Sequence, residues 1–443
     1  MPINLLHKLR SFESKILPRS IKNLGLLIES QFYFQKYKFH INKLRIIAVT
    51  GTQGKTTTST MIYEVFQTSG YRVGLISTIS AKIGSEDLDT GFHVTTPSPK
   101  NLYKYLKLMS DKEIEIVVLE VTAHAIDQNR IHGLKFETVV YTNITDNEHL
   151  DYFKTYQNYL ATKSTIMTQQ YLNKGGTTII NMDDQSYIPL KNIFKQREDI
   201  KIIEYGVDKE LKDNLLSQIY PSFNIEEHGS YITATLGNTI NQKILGTFNI
   251  YNSLAAYGAL RTFNVKGDVI TKSLSNFSLP EGHMDVLISK PFVVILDFAH
   301  TPDSFIKALS EARKLITRGG RLISIFGSAS ERDESKRPIL GEIANQYCDL
   351  IYLVPEDSRN ELISKINKEI IGNLDVQKFE CFNEQTILSR SKAIEKALGT
   401  AQMGDVIILL GKGHEKSLSI GGVEYDWSDR DEVLKYAKIL GIM

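Results

Sequence analysis

Thr50-Gly51-Thr52-Gln53-Gly54-Lys55-Thr56-Thr57-Thr58 follows the apolar, β-branched run LRIIAVT and leads into MIYEVFQTSG, whose apolar spacing is helical up to Gly70. A glycine-containing loop between a strand and a helix can hold phosphate. The backbone N–H groups along Gly51, Thr52, Gln53, Gly54 and Thr57 can point at phosphate oxygens, Lys55 can reach the terminal phosphates, and the Thr56 hydroxyl can ligate Mg²⁺. Val49 stands where the general G-x-x-x-x-GK[ST] pattern has its first glycine, so the loop is a variant. Glu120 closes a second apolar run, and a carboxylate at a strand end near a phosphate loop suits metal or water, although a solvated strand end fits equally well. Thr95-Thr96-Pro97 reads by itself as a turn, His149 as a satisfied polar residue and Lys163 as a solvated charge on a helix. Asn249 and Asn252, three apart at a helix start, suit capping and nucleotide contact in equal measure, and Asp297 with His300 could cap the next helix.

Taken together, these segments resemble the Mur ligases. The loop is similar to their TGTNGKTT, with Gln53 for Asn. Glu120-Val-Thr-Ala-His124-Ala-Ile-Asp-Gln128-Asn-Arg130 resembles the EVSSHAL-x-x-x-R run of the UDP-N-acetylmuramoyl-tripeptide synthetases, which add the third peptide residue; Thr122 and Ala123 replace the paired serines. Thr95-Thr96-Pro97 resembles the same group's TTP loop. Tyr141-Thr-Asn143 through Glu148-His149-Leu-Asp151-Tyr, then Tyr159-Leu-Ala-Thr-Lys163, resemble TNL-x-x-DHLDYH and Y-x-x-AK. Further on stand Gly246-Thr-Phe248-Asn249-Ile-Tyr-Asn252, Gly282-His283-Met284-Asp285 with His for the family's Arg, and Asp297-Phe-Ala-His300-Thr-Pro-Asp-Ser. Phe326-Gly327 through Arg332 and Lys336-Arg337-Pro338, Glu356-Asp357-Ser358-Arg359 at the DNPR position, and Gly411-Lys412-Gly413-His414-Glu415 complete the set.

The resemblance, which covers about 400 residues in chain order, implies an ATP-dependent amide ligase using Mg²⁺. It implies Thr56, Glu120, His149 and a carbamylated Lys163 as metal ligands, with Lys55 beside them in catalysis. A carbamate turns a cationic ammonium into an anionic oxygen ligand suited to hard Mg²⁺. Asn249, Asn252, Asp297 and His300 are implied as nucleotide contacts, and Thr95, Thr96, Thr122, Gln128 and Arg130 as contacts to a UDP-muramoyl-dipeptide. Arg332, Arg359, Gly411 and Glu415 are implied as a pocket for a zwitterionic amino acid, because a planar guanidinium captures a carboxylate and a carboxylate an ammonium. Asp357 in place of Asn adds a negative charge that could favour L-lysine, while the retained Arg359 favours meso-diaminopimelate. The expected chemistry converts the acceptor carboxylate to an acyl phosphate before the amine attacks, with closure of a second domain over the first gating turnover. A folylpolyglutamate synthase-like ligase shares the loop and the lysine, and a nucleotide-binding scaffold with little or no ligase activity is the rival of another class.

These side chains need a sheet to carry them. Apolar runs at Val73–Ser77, Ile116–Glu120, Thr138–Asn143 and Thr177–Asn181, separated by helix-length segments, predict a mostly parallel α/β domain over 44–285, with the phosphate loop on it. Short alternating pieces between about 200 and 245, such as SYITATLGNTI, predict a small antiparallel subsheet. Runs at Phe292–Phe298, Arg321–Phe326, Leu350–Val354 and Val406–Leu410 predict a second, Rossmann-like doubly wound domain over 286–443. Ahead of both, residues 1–43 read as two helices, the first marked by Leu5, Leu9, Phe12 and Ile16 and ended by Pro18. They take the place of the family's uridine-binding domain, either packing on the next domain or meeting a membrane surface or partner.

Composition sets the outer limits. With 42% hydrophobic and 23% charged residues the chain reads as globular. A net charge of +1 gives no argument for nucleic acid, but residues 1–45 hold nine Lys/Arg against Glu13 and Glu29, net +7, so the basic excess is N-terminal. Cys348 and Cys381 are too few for a disulfide framework or a four-cysteine zinc site, which fits a reducing cytoplasm, and no apolar stretch approaches a transmembrane span. The expectation is a cytoplasmic monomer acting on small molecules.

Overall fold

The computed structural model describes residues 19–443 except 79–80, 85, 89–94, 146–149, 196, 215–221, 243, 246–247, 280–281, 283, 318, 331–333 and 375. The helix expected around Leu5–Ile16 lies outside these residues. The chain divides into two compact units, one built mainly from residues up to Phe277 and the other mainly from Ser278 onward.

In the first unit, helix α1 (Arg19–Ile41) precedes the strands β1 (Arg45–Thr50), β2 (Val73–Ile76), β3 (Ala81–Ile83), β4 (Glu86–Leu88), β5 (Ile116–Glu120), β6 (Phe136–Tyr141), β7 (Leu172–Asn181), β8 (Lys201–Val207), β9 (Ser222–His228), β10 (Tyr231–Leu236) and β11 (Ile240–Asn241). All eleven join one sheet in the order β11-β9-β10-β8-β7-β6-β1-β5-β2-β3-β4. The antiparallel pieces expected as a subsheet therefore extend one edge of the main sheet: β9 pairs antiparallel with β10 and β11, while β10 itself pairs parallel with β8. Alternation in their sequences reports one covered face; it carries no information about which strand each edge will pair with.

Central strands read as continuous apolar runs because both faces are covered. Every residue of β5, Glu120 included, is buried. The chain goes from β1 out to β2, returns to place β5 beside β1, then puts β6 on β1's other side, with Val49 opposite Glu120 and Thr50 opposite Tyr141. That reversal sets the carboxyl ends of β1, β5 and β6 side by side, where ligands bind in sheets of this kind. Helix α2 (Lys55–Thr68) starts directly after the loop that leaves β1. Helix α1 packs on the same unit: Ser30 and Ile41 are buried, Phe34 lies 6.3 Å from Tyr103, and the Ser30 hydroxyl donates to the Asn129 carbonyl (2.7 Å). Packing on the following domain, one of the alternatives for this segment, thus holds for α1.

The second unit is a six-stranded sheet, β12 (Asp285–Ile288), β13 (Val293–Asp297), β14 (Leu322–Phe326), β15 (Leu350–Leu353), β16 (Phe379–Cys381) and β17 (Val406–Leu410), in the order β12-β13-β17-β14-β15-β16. Only β12 is antiparallel. Period-two alternation sends Val293, Ile295, Leu322 and Phe326 into one core and Val294, Leu296, Ile323 and Ile325 into another on the opposite face. A hairpin of β18 (Ser417–Ile420) and β19 (Val423–Asp426) follows.

One ion pair fastens this unit below its carboxyl edge. Arg390, fully buried, meets the fully buried Asp429 through two hydrogen bonds (2.7 and 2.6 Å) and donates to the carbonyls of Pro355 and Leu410 (both 3.2 Å), just beyond β15 and at the end of β17. Trp427 Nε1 adds a third donor to Asp429 (2.8 Å). Truncating one partner strands a buried charge, so Arg390→Met is expected to cost about 3–5 kcal/mol. Urea unfolding followed by Trp427 fluorescence would read it; a loss below about 1 kcal/mol would mean that the pair is replaceable by packing.

Candidate functional site

The phosphate loop leaves β1 and is held from the end of β6 and from two helices. A Cβ on Gly51 would run into the Thr142 hydroxyl, and Gly54, at φ +78°, lies against Asn252 Oδ1, so both positions need glycine. Behind β6, the Thr142 hydroxyl donates to the Gln53 carbonyl (2.5 Å), and Asn143 accepts from Gln53 N–H (2.9 Å) while donating to the Gln53 carbonyl (3.1 Å). Thr52 is buried with its hydroxyl 3.3 Å from Tyr159 Oη. Lys55 Nζ donates to the Gly51 and Thr52 carbonyls (3.0 and 2.7 Å), and Thr56 and Thr57 begin α2. With Asn252 of the helix Phe248–Arg261 against its other side, the loop presents backbone groups at a helix N-terminus, the usual setting for an anion.

Lys163, on the helix Tyr156–Ser164, is 1% exposed; the solvated-charge alternative does not describe it. Its Nζ donates to the Gly51 carbonyl (2.7 Å) and the Thr50 hydroxyl (3.4 Å) and lies 5.0 Å from the centre of the Tyr159 ring. Glu120 is fully buried as well. Its Oε2 accepts from the Thr78 hydroxyl (2.8 Å), whereas Oε1 has no hydrogen-bond partner among the described residues. Burial pushes the Glu120 carboxyl up, opposed by the Lys55 charge and by the Thr56 and Thr78 hydroxyls. A buried carboxylate oxygen without a donor, beside hydroxyls and a phosphate loop, has the donor chemistry of a hard divalent cation such as Mg²⁺. His149, the remaining expected ligand, lies outside the described residues.

A second cluster lies on the far side of Glu120. The Thr96 hydroxyl donates to the Glu120 carbonyl (2.9 Å) and accepts from Thr122 N–H (3.1 Å), and the Thr95 hydroxyl lies 2.8 Å from that of Thr78. Thr122 caps the helix Ala123–Asp127, its hydroxyl accepting from Ala125 N–H. Arg130 donates to the Thr96 carbonyl and to Gln128 Oε1 (both 2.8 Å), and Gln128 donates to Tyr152 Oη (3.4 Å). Asp127 then ties this cluster to α1: it takes Arg19 (2.6 Å), Asn23 (2.8 Å) and the Tyr152 hydroxyl (2.8 Å), with the Arg19 guanidinium 3.9 Å over the Tyr152 ring.

The helix Phe248–Arg261 also bears on the loop. Asn249 and Asn252 are both buried on it, with Asn252 Nδ2 donating to Asn249 Oδ1 (2.7 Å) and Asn252 Oδ1 accepting from Thr58 (3.3 Å). Asn252 thus braces the loop and α2 directly.

In the second unit, the expected residues gather at the carboxyl edge of the sheet. Asp297 ends β13, accepting from the N–H groups of Met284 and Ala299 (both 2.7 Å), and half-buried His300 contacts the Phe298 carbonyl through Nδ1 (2.9 Å). Thr301, with Ser304, rather than Asp297 or His300, caps the helix that follows. Lys412, 1% exposed, pairs with Asp357 (3.0 Å) and Glu415 (2.6 Å), and Asp357 also accepts from Ser419 N–H (2.9 Å). The negative charge that the sequence suggested for drawing in a lysine side chain is therefore met within the fold by Lys412. Arg359, half-buried at φ +46°, has its backbone paired to Ser419 and Gly422. Gly411 packs on Glu356, whose carboxyl is buried and pushed up by desolvation. Arg337 is fully buried on Glu361 and Glu369, and Lys336 holds the His300 carbonyl (2.9 Å), so both act inside the fold. Arg332 and His283 lie outside the described residues.

Asp297 gives a pH signature. Burial raises its pKa to about 6 against the two backbone donors. The folded state then binds the proton more tightly than the unfolded state, so this group's contribution falls as pH rises from about 4 to about 6, by up to ~3 kcal/mol. Asp297→Asn is expected to flatten that part of the stability profile of the second unit, whatever its pH-independent cost; an unchanged slope in urea titrations would reject it.

Sequence alone passed over Thr78, Arg19, Asn23 and the pairing role of Lys412. Thr78 follows β2 at the sheet's carboxyl edge, a signal available in principle; the others are fixed by tertiary contact.

Comparison with known proteins places this architecture. The Mur ligase middle domain matches residues 49–260, and the Mur ligase glutamate ligase domain matches 284–413. A protein of Aquifex aeolicus named UDP-N-acetylmuramoyl-L-alanyl-D-glutamate–2,6-diaminopimelate ligase is 36% identical over 396 residues, 88% of this chain and 77% of its own length. One of Bacteroides fragilis with the same name is 33% identical over 396 residues, 89% and 78% of the two chains. A solved structure of a ligase of that name superposes with a TM-score of 0.62 at 24% identity, covering 96% of this chain and 84% of its own. A bifunctional folylpolyglutamate synthase/dihydrofolate synthase gives 0.54 at 16% identity, covering 87% and 91%; likenesses at these identities speak for the fold. The chain belongs to the Mur ligase family. It is an ATP-dependent acid–amino-acid ligase, of a family that generally uses Mg²⁺.

Proposed function

We propose that this chain adds a diamino acid, meso-diaminopimelate in preference to L-lysine, to UDP-N-acetylmuramoyl-L-alanyl-D-glutamate. The relatives just described carry that reaction in their names. The observation that carries the reading to this chain is the convergence of Lys55, Lys163 and the half-satisfied Glu120 on one phosphate loop, with Thr96, Gln128 and Arg130 joined to Glu120 through backbone.

An acceptor carboxylate oxygen attacks the γ-phosphorus of ATP and ADP leaves; the amine then attacks the acyl carbon of the acyl phosphate, the C–O bond to phosphate breaks, and the amine gives up its proton. Lys55 and the N–H groups of the loop would meet the charge on the transferred phosphoryl group. Thr56, Glu120, His149 and a carbamylated Lys163 would hold Mg²⁺, which when bound supplies charge neutralisation at the phosphates. Asn249 and Asn252 keep the loop in shape, and Asp297 and His300 would contact the nucleotide. Thr95, Thr96, Thr122, Gln128 and Arg130 would orient the muramoyl-dipeptide. Arg332, Arg359, Gly411 and Glu415 would take the amino acid. Asp357, held by Lys412, would shape that pocket, and with its charge so compensated the retained Arg359 favours a second carboxylate on the substrate.

The test is phosphate release from ATP and Mg²⁺ with the UDP-linked dipeptide and meso-diaminopimelate, L-lysine or no amino acid, with Lys55→Ala as control. Release that requires diaminopimelate and vanishes in the variant is expected; release with L-lysine alone would reverse the choice of amino acid, and none with either would remove the proposed acceptor. Because Arg19 holds Asp127 and Tyr152 against Gln128, Arg19→Ala is expected to raise KM for the dipeptide about tenfold while KM for ATP stays put. Equal changes in both would point to general loosening.

A further inference from the structure

Helix α1 has two apolar faces. One packs on the first unit through Tyr33, Phe34, Tyr37 and Ile41. On the opposite side Ile21, Leu24, Ile28, Phe32 and Phe39 are 51–73% exposed. At about 100° per residue these five fall in one stripe, roughly 27 Å long. Lys36 and Lys38 leave the helix on either side of that stripe, and Lys43 Nζ lies 4.4 Å from the Phe39 ring centre. Glu29 is the only acidic residue on α1, within an N-terminal stretch that nets +7 over residues 1–45.

We propose that this stripe seats α1 on an anionic phospholipid surface, the apolar side chains entering the boundary between headgroups and acyl chains and the flanking lysines meeting headgroup phosphates. Charge selects this occupant. A second copy packed face to face would bring the lysine borders together with only Glu29 to offset them. Among the described residues no helix is long and apolar enough to cross a membrane, so α1 lies along the surface. Its Asp127, Asn129 and core contacts fasten the first unit to whatever α1 rests on.

The test mixes the full chain with sedimentable vesicles, either pure phosphatidylcholine or equal parts phosphatidylcholine and phosphatidylglycerol, at low and high salt. Binding to the anionic vesicles, at least about tenfold over the neutral ones and weakened by salt, is expected. Ile28→Glu with Phe32→Glu should abolish it while melting temperature and phosphate release stay unchanged; Lys36→Gln and Lys38→Gln should each weaken it about fivefold. No preference for anionic vesicles would overturn the proposal, as would undiminished binding by the double variant. A concentration-dependent dimer in light scattering, dissociated by the double variant without any vesicle binding, would assign the stripe to a second copy instead. The vesicle, melting and light-scattering readouts do not depend on the proposed substrate.

Discussion

Glu120→Gln is expected to turn over about a thousandfold more slowly than the parent while unfolding at a higher temperature. The two effects have one cause. Glu120 is fully buried, Thr78 satisfies one carboxylate oxygen, and the other has no hydrogen-bond partner among the described residues, so the fold bears an incompletely solvated charge. An amide of the same shape removes that charge. Lys55, attracted by it, keeps the Gly51 and Thr52 carbonyls as partners after the change, and the gain should be about 1–3 kcal/mol. The same amide loses the anionic oxygen that a divalent ion needs, and catalysis loses charge neutralisation during phosphoryl transfer. Adding ATP with Mg²⁺ should accordingly raise the parent's melting temperature more than the variant's. A variant that melts lower, or keeps kcat within a few fold, would show that Glu120 is a structural residue.

How far the sequence reaches can be seen around that residue. Its strand was legible because both faces of β5 are covered, which writes an apolar run ending in one carboxylate. The loop after β1 was legible because a phosphate site needs glycines, a lysine and a hydroxyl at fixed spacing. Partners drawn from distant segments were not. Thr78 precedes Glu120 by 42 residues, and Arg19 precedes Asp127 by 108. Nothing local in either segment reports which strand end or helix it will face, since pairing of this kind follows from sheet order. The antiparallel strands after β8 illustrate the same limit: their alternation was read correctly, and their continuity with the main sheet depends on edge pairing that alternation does not encode. Asp357 shows how a partner changes meaning. As a letter it is an added negative charge; in the fold Lys412, 1% exposed, and the Ser419 N–H already hold it.

Lys163→Met is expected to lower kcat about a thousandfold with little change in ATP affinity, and the parent's own activity should depend on dissolved CO₂. Lysine is an expensive residue to place at 1% exposure, and there its Nζ donates to the Gly51 carbonyl and the Thr50 hydroxyl. A neutral amine in that position can add to CO₂, forming an N–C bond and releasing one proton, and the resulting carbamate presents oxygens beside Glu120's loop where an ammonium would repel a metal ion. Methionine keeps the unbranched apolar stem against Tyr159 but can form no carbamate. Depleting CO₂ should slow the parent, and bicarbonate should restore it; the variant should respond to neither. Carbon-13 bicarbonate should also give a carbamate resonance in the parent that is absent from Lys163→Met. Activity indifferent to CO₂ together with a silent spectrum would leave Lys163 as a cation bound to the loop, and the thousandfold loss would then have to come from its charge.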